Sequence, residues 1–204
     1  MFSSARRLLG TASAGCAIGA TLLLAPAALP AQASLIPLTS CTAGALSQPF
    51  AQWGDYAHYS LSPGGDFESS DPKGSAWTLG GGARIVGGSE TYAATGKLGA
   101  SSLSLPALAS AESPPTCVDT AYPTIRFFVS GSGAAAVSIV YDGIPIPTGV
   151  VVTAGNWTPT PVLLTTAPLW GLLSGGSANV SLEITGLTGS PRVDDVFVDP
   201  WGRS

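Results

Sequence analysis

Glycine or proline interrupts this chain every few residues, 26 glycines and 17 prolines among 204 positions, which leaves little room for helices of any length. The segments between these breaks are short, β-branched and often alternating, the pattern of half-buried strands. Thr124 to Ser130 places Ile125, Phe127 and Val129 on one face, and Ala135 to Tyr141 does the same with Val137, Ile139 and Tyr141. Ala178 to Thr185 alternates cleanly, with Val180, Leu182 and Ile184 inward and Ser181, Glu183 and Thr185 outward. Ser101 to Leu105, Val150 to Thr153, Trp157 to Leu164 and the closing Arg192 to Asp199 complete the candidate strands. Gly80-Gly81-Gly82 between Ala76–Leu79 and Ala83–Val86 predicts a hairpin. Asp142-Gly143 and Gly131-Ser132-Gly133 read as turns. Only Ala167 to Leu173 has the composition of a helical turn. Strands of this length and spacing predict a sandwich or jelly roll.

The N-terminus has a different character. Arg6 and Arg7 precede an uncharged, Ala-rich apolar run from Leu8 to Leu29, and Ala31-Gln32-Ala33 fits the small-x-small site of signal peptidase. Residues 1–33 are therefore expected to be a signal peptide, with Pro26 and Pro30 arguing against a membrane anchor. The paired arginines leave general and twin-arginine export both open. Removing 33 of 204 residues leaves 171, enough for one domain. The eight basic residues fall to six against twelve acidic, a net charge of −6. Such a balance argues against nucleic acid and against anionic membranes as partners. Cys41 and Cys117 remain after cleavage, and in an exported protein an even count predicts a disulfide between them. Residues 34–60 read as an N-terminal extension, of which 34–50, rich in Pro, Ser and Ala, reads as loosely held, and 61–204 as the folded domain.

Catalytic chemistry finds little support. His58 is the single histidine, three residues from Asp55, and no G-x-S-x-G elbow accompanies it, so a hydrolase centred on His58 is a minor reading. Zinc would require several His or Cys ligands. The glycine runs match neither phosphate-binding pattern. Of the aromatic pool of Trp53, Tyr56, Tyr59, Tyr92, Tyr141 and Trp157, the cluster Trp53, Tyr56 and Tyr59 has no strand pattern to account for it, so it is the candidate ligand platform. Trp77, Phe127 and Trp157 sit in strand patterns and are expected in the core.

Two motifs carry a family resemblance. Gly64-Gly65-Asp66-Phe67-Glu68 followed by Trp77-Thr78-Leu79 opens the domain, and Arg192-Val193-Asp194-Asp195-Val196-Phe197-Val198 closes it. Together they resemble carbohydrate-binding modules and galactose-binding-like domains, and the stretch from about Pro63 to Pro200 is similar to small secreted actinobacterial proteins of uncharacterised function. The resemblance implies an all-β fold, a jelly-roll β-sandwich of two antiparallel sheets. It also implies a structural Ca2+ held by Glu68 with Asp194 and Asp195. If Val196 and Val198 face the core, alternation turns Asp194 inward too, and a buried carboxylate needs hydrogen bonds, a partner or a metal. A hydrogen-bonded Asp, paired with Arg126 or Arg192, is the alternative. The expected role is that of a secreted, non-catalytic module for carbohydrate or cell-envelope glycan. The alternative is a structural or protein–protein interaction domain at the cell surface. Exposed aromatics gathered into one concave patch would favour the first, and scattered ones the second.

Overall fold

The computed structural model describes residues 41, 43–68, 77–119, 124–164 and 177–199. The expected signal peptide and the helical turn at 167–173 lie outside these residues. The strands are β1 (Leu46–Ser47), β2 (Tyr59–Leu61), β3 (Thr78–Gly80), β4 (Arg84–Gly87), β5 (Ser101–Ser104), β6 (Ser110–Glu112), β7 (Thr116–Asp119), β8 (Thr124–Tyr141), β9 (Ile144–Pro159), β10 (Leu163–Leu164), β11 (Ser177–Gly189) and β12 (Arg192–Asp199). Their pairings are antiparallel, and the fold is an all-β jelly-roll sandwich.

The two expected sheets are two layers of one curled sheet. Thr124 to Ser130 and Ala135 to Tyr141, read as separate strands, are halves of the single strand β8. Its first half pairs with β12 and its second with β11, while β9 follows along both. Gly131-Ser132-Gly133 is thus a kink inside a strand rather than a turn. The cause is backbone proximity: Gly133 has φ 136°, and a Cβ there would lie 2.0 Å from the carbonyl oxygen of Thr188. Register slips beside the kink, at Val129/Gly131 against β9 and at Gly186/Thr188 against β8, as bulges that bend strands require. Asp142-Gly143 forms the predicted turn, both residues at positive φ. The predicted hairpin at Gly80–Gly82 is not formed, because β3 pairs with β6 and β4 with β5.

Inside the curl lies the main core, to which β8 contributes Ile125, Phe127, Val129, Val137 and Ile139, β11 contributes Val180, Leu182 and Ile184, and β12 contributes Val193, Val196 and Val198. Trp77 packs there against Phe67, with its Nε1 donating to the Pro63 oxygen at 3.1 Å. A second cluster, Phe50, Tyr59, Phe128 and Phe197, covers the opposite face of β8 and β12. It exists because residues 46–61 are built into the sheet. β1 pairs with β2, β2 pairs with β12, and Phe50 and Tyr59 are fully buried. The domain boundary expected at residue 61 falls within β2. The Cys41–Cys117 disulfide is formed across 76 residues, and closing a loop of that length contributes about 4 kcal/mol in the chain-entropy model.

Gly133→Ala puts a side chain where the β8 and β11 backbones meet, and is expected to cost about 2 kcal/mol or more, read as a fall in urea midpoint with unchanged slope.

Candidate functional site, an aromatic cleft beside the β4–β5 connection

Strand β12 departs from strict alternation. Val193 and Val196, three residues apart, both enter the main core. The register against β8 slips between Asp194 and Phe197, and Asp195 takes φ 47°. This bulge puts Asp194 on the opposite face from the valines, beside its register partner Phe128. The alternation reading placed Asp194 on the same face as Val196 and Val198. That is corrected by the extra residue of the bulge.

Asp194 is 1% exposed there, and its partners are backbone amides rather than an arginine. Its Oδ2 accepts the Glu90 N–H at 2.7 Å and its Oδ1 the Asp195 N–H at 2.9 Å. Glu90, also buried, lies on the connection between β4 and β5. It accepts the N–H of Ala94 at 3.0 Å and that of Tyr92. Glu68 accepts the N–H groups of Ala100 and Ser101 at 2.6 and 2.8 Å on one oxygen. Arg126 instead pairs with Asp55 at 2.5 Å and lies 4.3 Å over the Phe50 ring. Arg192 donates to the oxygens of Gly87 and Gly88 and to Ser102 Oγ.

The donor chemistry of Glu68, Asp194 and Asp195 is right for a hard cation, since all are carboxyl oxygens. In the structure, backbone amides engage two of the three. Both Asp194 oxygens already accept N–H groups, and Glu68 turns to the 99–101 backbone. Among the described residues no three His, Cys, Asp or Glu side chains come together as a metal-binding group.

The β4–β5 connection lines a cleft of about 450 Å3 together with the bends of β8 and β9. Thr91 and Tyr92 form one wall, Ser130 and Gly155 the bend, and Asn156 and Trp157 the other wall. Tyr92 donates its hydroxyl to the Trp157 oxygen at 2.8 Å, so the walls are tied together. Trp53 continues the rim, its ring 4.9 Å from that of Tyr92 and edge-on to it. The Arg192 guanidinium lies 5.5 Å from the Trp157 ring, which buttresses the indole. Two exposed aromatics, Trp53 and Tyr92, thus adjoin this cleft with the half-buried Trp157, while Tyr56, the most exposed aromatic of the described residues, stands apart.

Of the expected platform, only Trp53 reaches this rim. Tyr56 is 68% exposed, with its main-chain oxygen accepting the Gln48 side chain. Tyr59 is 1% exposed and donates its hydroxyl to Asp55, so its ring belongs to the second core and is closed to a ligand. Trp157, expected in the core, is half-buried in the cleft wall because β9 carries it past the kink. Tyr92 stood in the aromatic pool without a pattern, and Glu90 had no signal beyond being an acid before an aromatic. His58 is exposed, and Asp55 spends its carboxylate on Arg126, Tyr59 and the Ala57 N–H.

Burial, first, raises Asp194 to about 7, with the nearby charges of Glu90 and Glu68 adding to it and two backbone N–H bonds opposing. Burial raises Asp195 to about 8, reinforced by Asp194, Glu90 and Asp66 and by its hydrogen bond to Glu90. Two carboxyl groups can share that bond only if one carries a proton. The folded protein thus holds protons that the unfolded chain releases near 3.8, so stability falls as pH rises from there through about 8. The melting temperature is expected to be several degrees higher at pH 5.5 than at pH 8.5, and Asp195→Asn is expected to flatten that slope.

No family model matches this sequence, and no curated protein matches it. Among solved structures it is similar to the enzymatically active domain of bacteriophage CBA120 tailspike protein 4, at 12% identity and TM-score 0.42, over 68% of this chain and 21% of that one. The chain thus spans about a fifth of that tailspike chain. It is also similar to the C-terminal CBM6 of LamC from Zobellia galactanivorans, at 8% identity and TM-score 0.40, over 57% of this chain and 90% of that one. A third is the CBM22-1 xylan-binding domain from Paenibacillus barcinonensis Xyn10C, at 13% identity and TM-score 0.42, over 78% of this chain and 97% of that one. Carbohydrate-binding modules are thus among the solved structures this chain is similar to.

Proposed function

We propose that this domain binds a neutral glycan in the cleft between Tyr92 and Trp157, without catalysing a reaction, outside the cytoplasm. The gathering of Trp53, Tyr92 and Trp157 around one concavity is the observation that carries this reading. Aromatic faces stack on the apolar faces of sugar rings, while Asn156, Thr91 and Ser130 supply the amide and hydroxyls that pair with sugar hydroxyls. The cleft volume lies within the range of small-molecule sites. Among the described residues no acid or base is in its lining, so a polyanion meets no free cation there. The same lack supports a non-catalytic role, because glycoside hydrolysis needs two carboxyl groups flanking the bond. The disulfide and the expected signal peptide support an exported location.

A protein-interaction role is favoured by a separate feature, the exposed apolar side chains Ile144, Val150 and Val152 on β9. Sedimentation of the purified protein as a monomer across a wide concentration range would count against self-association there. Calcium at Glu68, Asp194 and Asp195 is a further proposal, taken from the family resemblance. A chelator is expected to lower the melting temperature and Ca2+ to restore it, and an unchanged melting temperature would overturn the proposal.

The glycan reading is tested by affinity electrophoresis and calorimetry against xylan, other neutral polysaccharides and cell-wall preparations, with heparin and polygalacturonate as acidic controls. Tyr92→Ala and Trp157→Ala are each expected to weaken binding about tenfold or more, and Tyr56→Ala to leave it unchanged. Binding to the acidic polymers alone, or to none, would overturn the reading.

A further inference from the structure

Glu90 is a buried acid bonded through both its carboxyl group and its own N–H, and it stands two residues before the cleft tyrosine. It is 2% exposed. The ion pair of the described residues joins Arg126 to Asp55, so backbone amides, with Asp195 beside them, satisfy the Glu90 side chain. Its side chain curls back on its own loop and accepts the N–H groups of Tyr92 and Ala94. Its own N–H donates to Asp194 Oδ2 on β12, one of the strands at the centre of the sheet.

The loop it holds has no strand partner of its own. Between β4 and β5 it turns through positive φ at Gly88, Ala93 and Gly96, and its main-chain bonds are those of Gly88 N–H to the Ala100 oxygen and Gly96 N–H to the Ala93 oxygen. Ala93 at φ 54° is an uncommon conformation for a residue with a Cβ, so something must hold it. The two Glu90 bonds bracket that residue, one on each side. The Tyr92 ring then lies against Trp53 and Phe128 with its hydroxyl on the Trp157 oxygen.

We infer that Glu90 is a positioning residue of the cleft: its carboxyl group fixes the backbone of residues 91–94, and Asp194 anchors that loop to β12, so Tyr92 faces Trp157 before any ligand arrives. This rests on the cleft being the glycan site. The physical gain is preorganisation, since a wall already ordered does not have to lose its freedom at the moment of binding.

The test uses the mature protein with the neutral polysaccharide it binds best, comparing wild type, Glu90→Ala, Glu90→Gln and Leu182→Ala. Leu182 lies in the main core and not in the cleft wall, so its truncation lowers stability without touching the loop. Glu90→Ala is expected to weaken binding tenfold or more and to speed hydrogen exchange across residues 88–100, leaving exchange across β11 unchanged. Glu90→Gln keeps one acceptor oxygen and is expected to fall between the two and to fold where the alanine variant does not. Leu182→Ala, measured below its melting temperature, is expected to bind as wild type does. Wild-type binding with undiminished affinity in both Glu90 variants overturns the inference and leaves the glycan reading standing. If wild type binds no polysaccharide, the glycan reading falls, and unchanged exchange at 88–100 in the Glu90 variants would overturn the positioning role as well.

Discussion

Strand β12 is covered on both faces, by the main core on one side and by the Phe50 cluster on the other, and this leaves Asp194 and Asp195 no route to water. A buried carboxyl group must be hydrogen-bonded or hold its proton. The chain meets that demand with a bulge. By slipping the register after Asp194, β12 keeps its valines in the core and directs Asp194 to the N–H of Glu90. The placement of the β4–β5 connection over the sheet follows from this one requirement.

That connection supplies Thr91 and Tyr92 to the cleft, while the opposing wall comes from the kink shared by β8 and β9. The kink in turn depends on glycines whose backbones touch the neighbouring strand. Cleft and curl therefore have one origin: the bends that fold one ladder into two layers also open a concavity at their corner. The N-terminal segment completes it, because Phe50 must be buried and carries Trp53 to the rim.

The legible parts of the fold were those set by local pattern. Val180, Leu182 and Ile184 face inward as their spacing requires, Asp142-Gly143 turns the chain, and Trp77 sits in the core. Errors arose where a local sign has two tertiary meanings. Gly131-Ser132-Gly133 permits a turn or a kink, and only the proximity of β11 selects the kink. Tyr59 shares its aromatic neighbourhood with Trp53, but strand pairing to β12 buries one and leaves the other at a rim. Glu90 was invisible for the same reason: its partner Asp194 is 104 residues away, and nothing in either neighbourhood names the other.

Composition and spacing alone determined that this chain is a β-protein, because glycine and proline at short intervals forbid long helices and alternating apolar residues demand a covered sheet face. The pairing of Cys41 with Cys117 followed from the expectation that residues 1–33, with Cys16, are a leader, and the structure forms that disulfide. Which aromatics meet around a cleft, and which acids are buried, was decided only by the tertiary structure. Those contacts join residues far apart in sequence, and their geometry depends on a bulge and a kink whose positions are fixed by the approach of neighbouring strands.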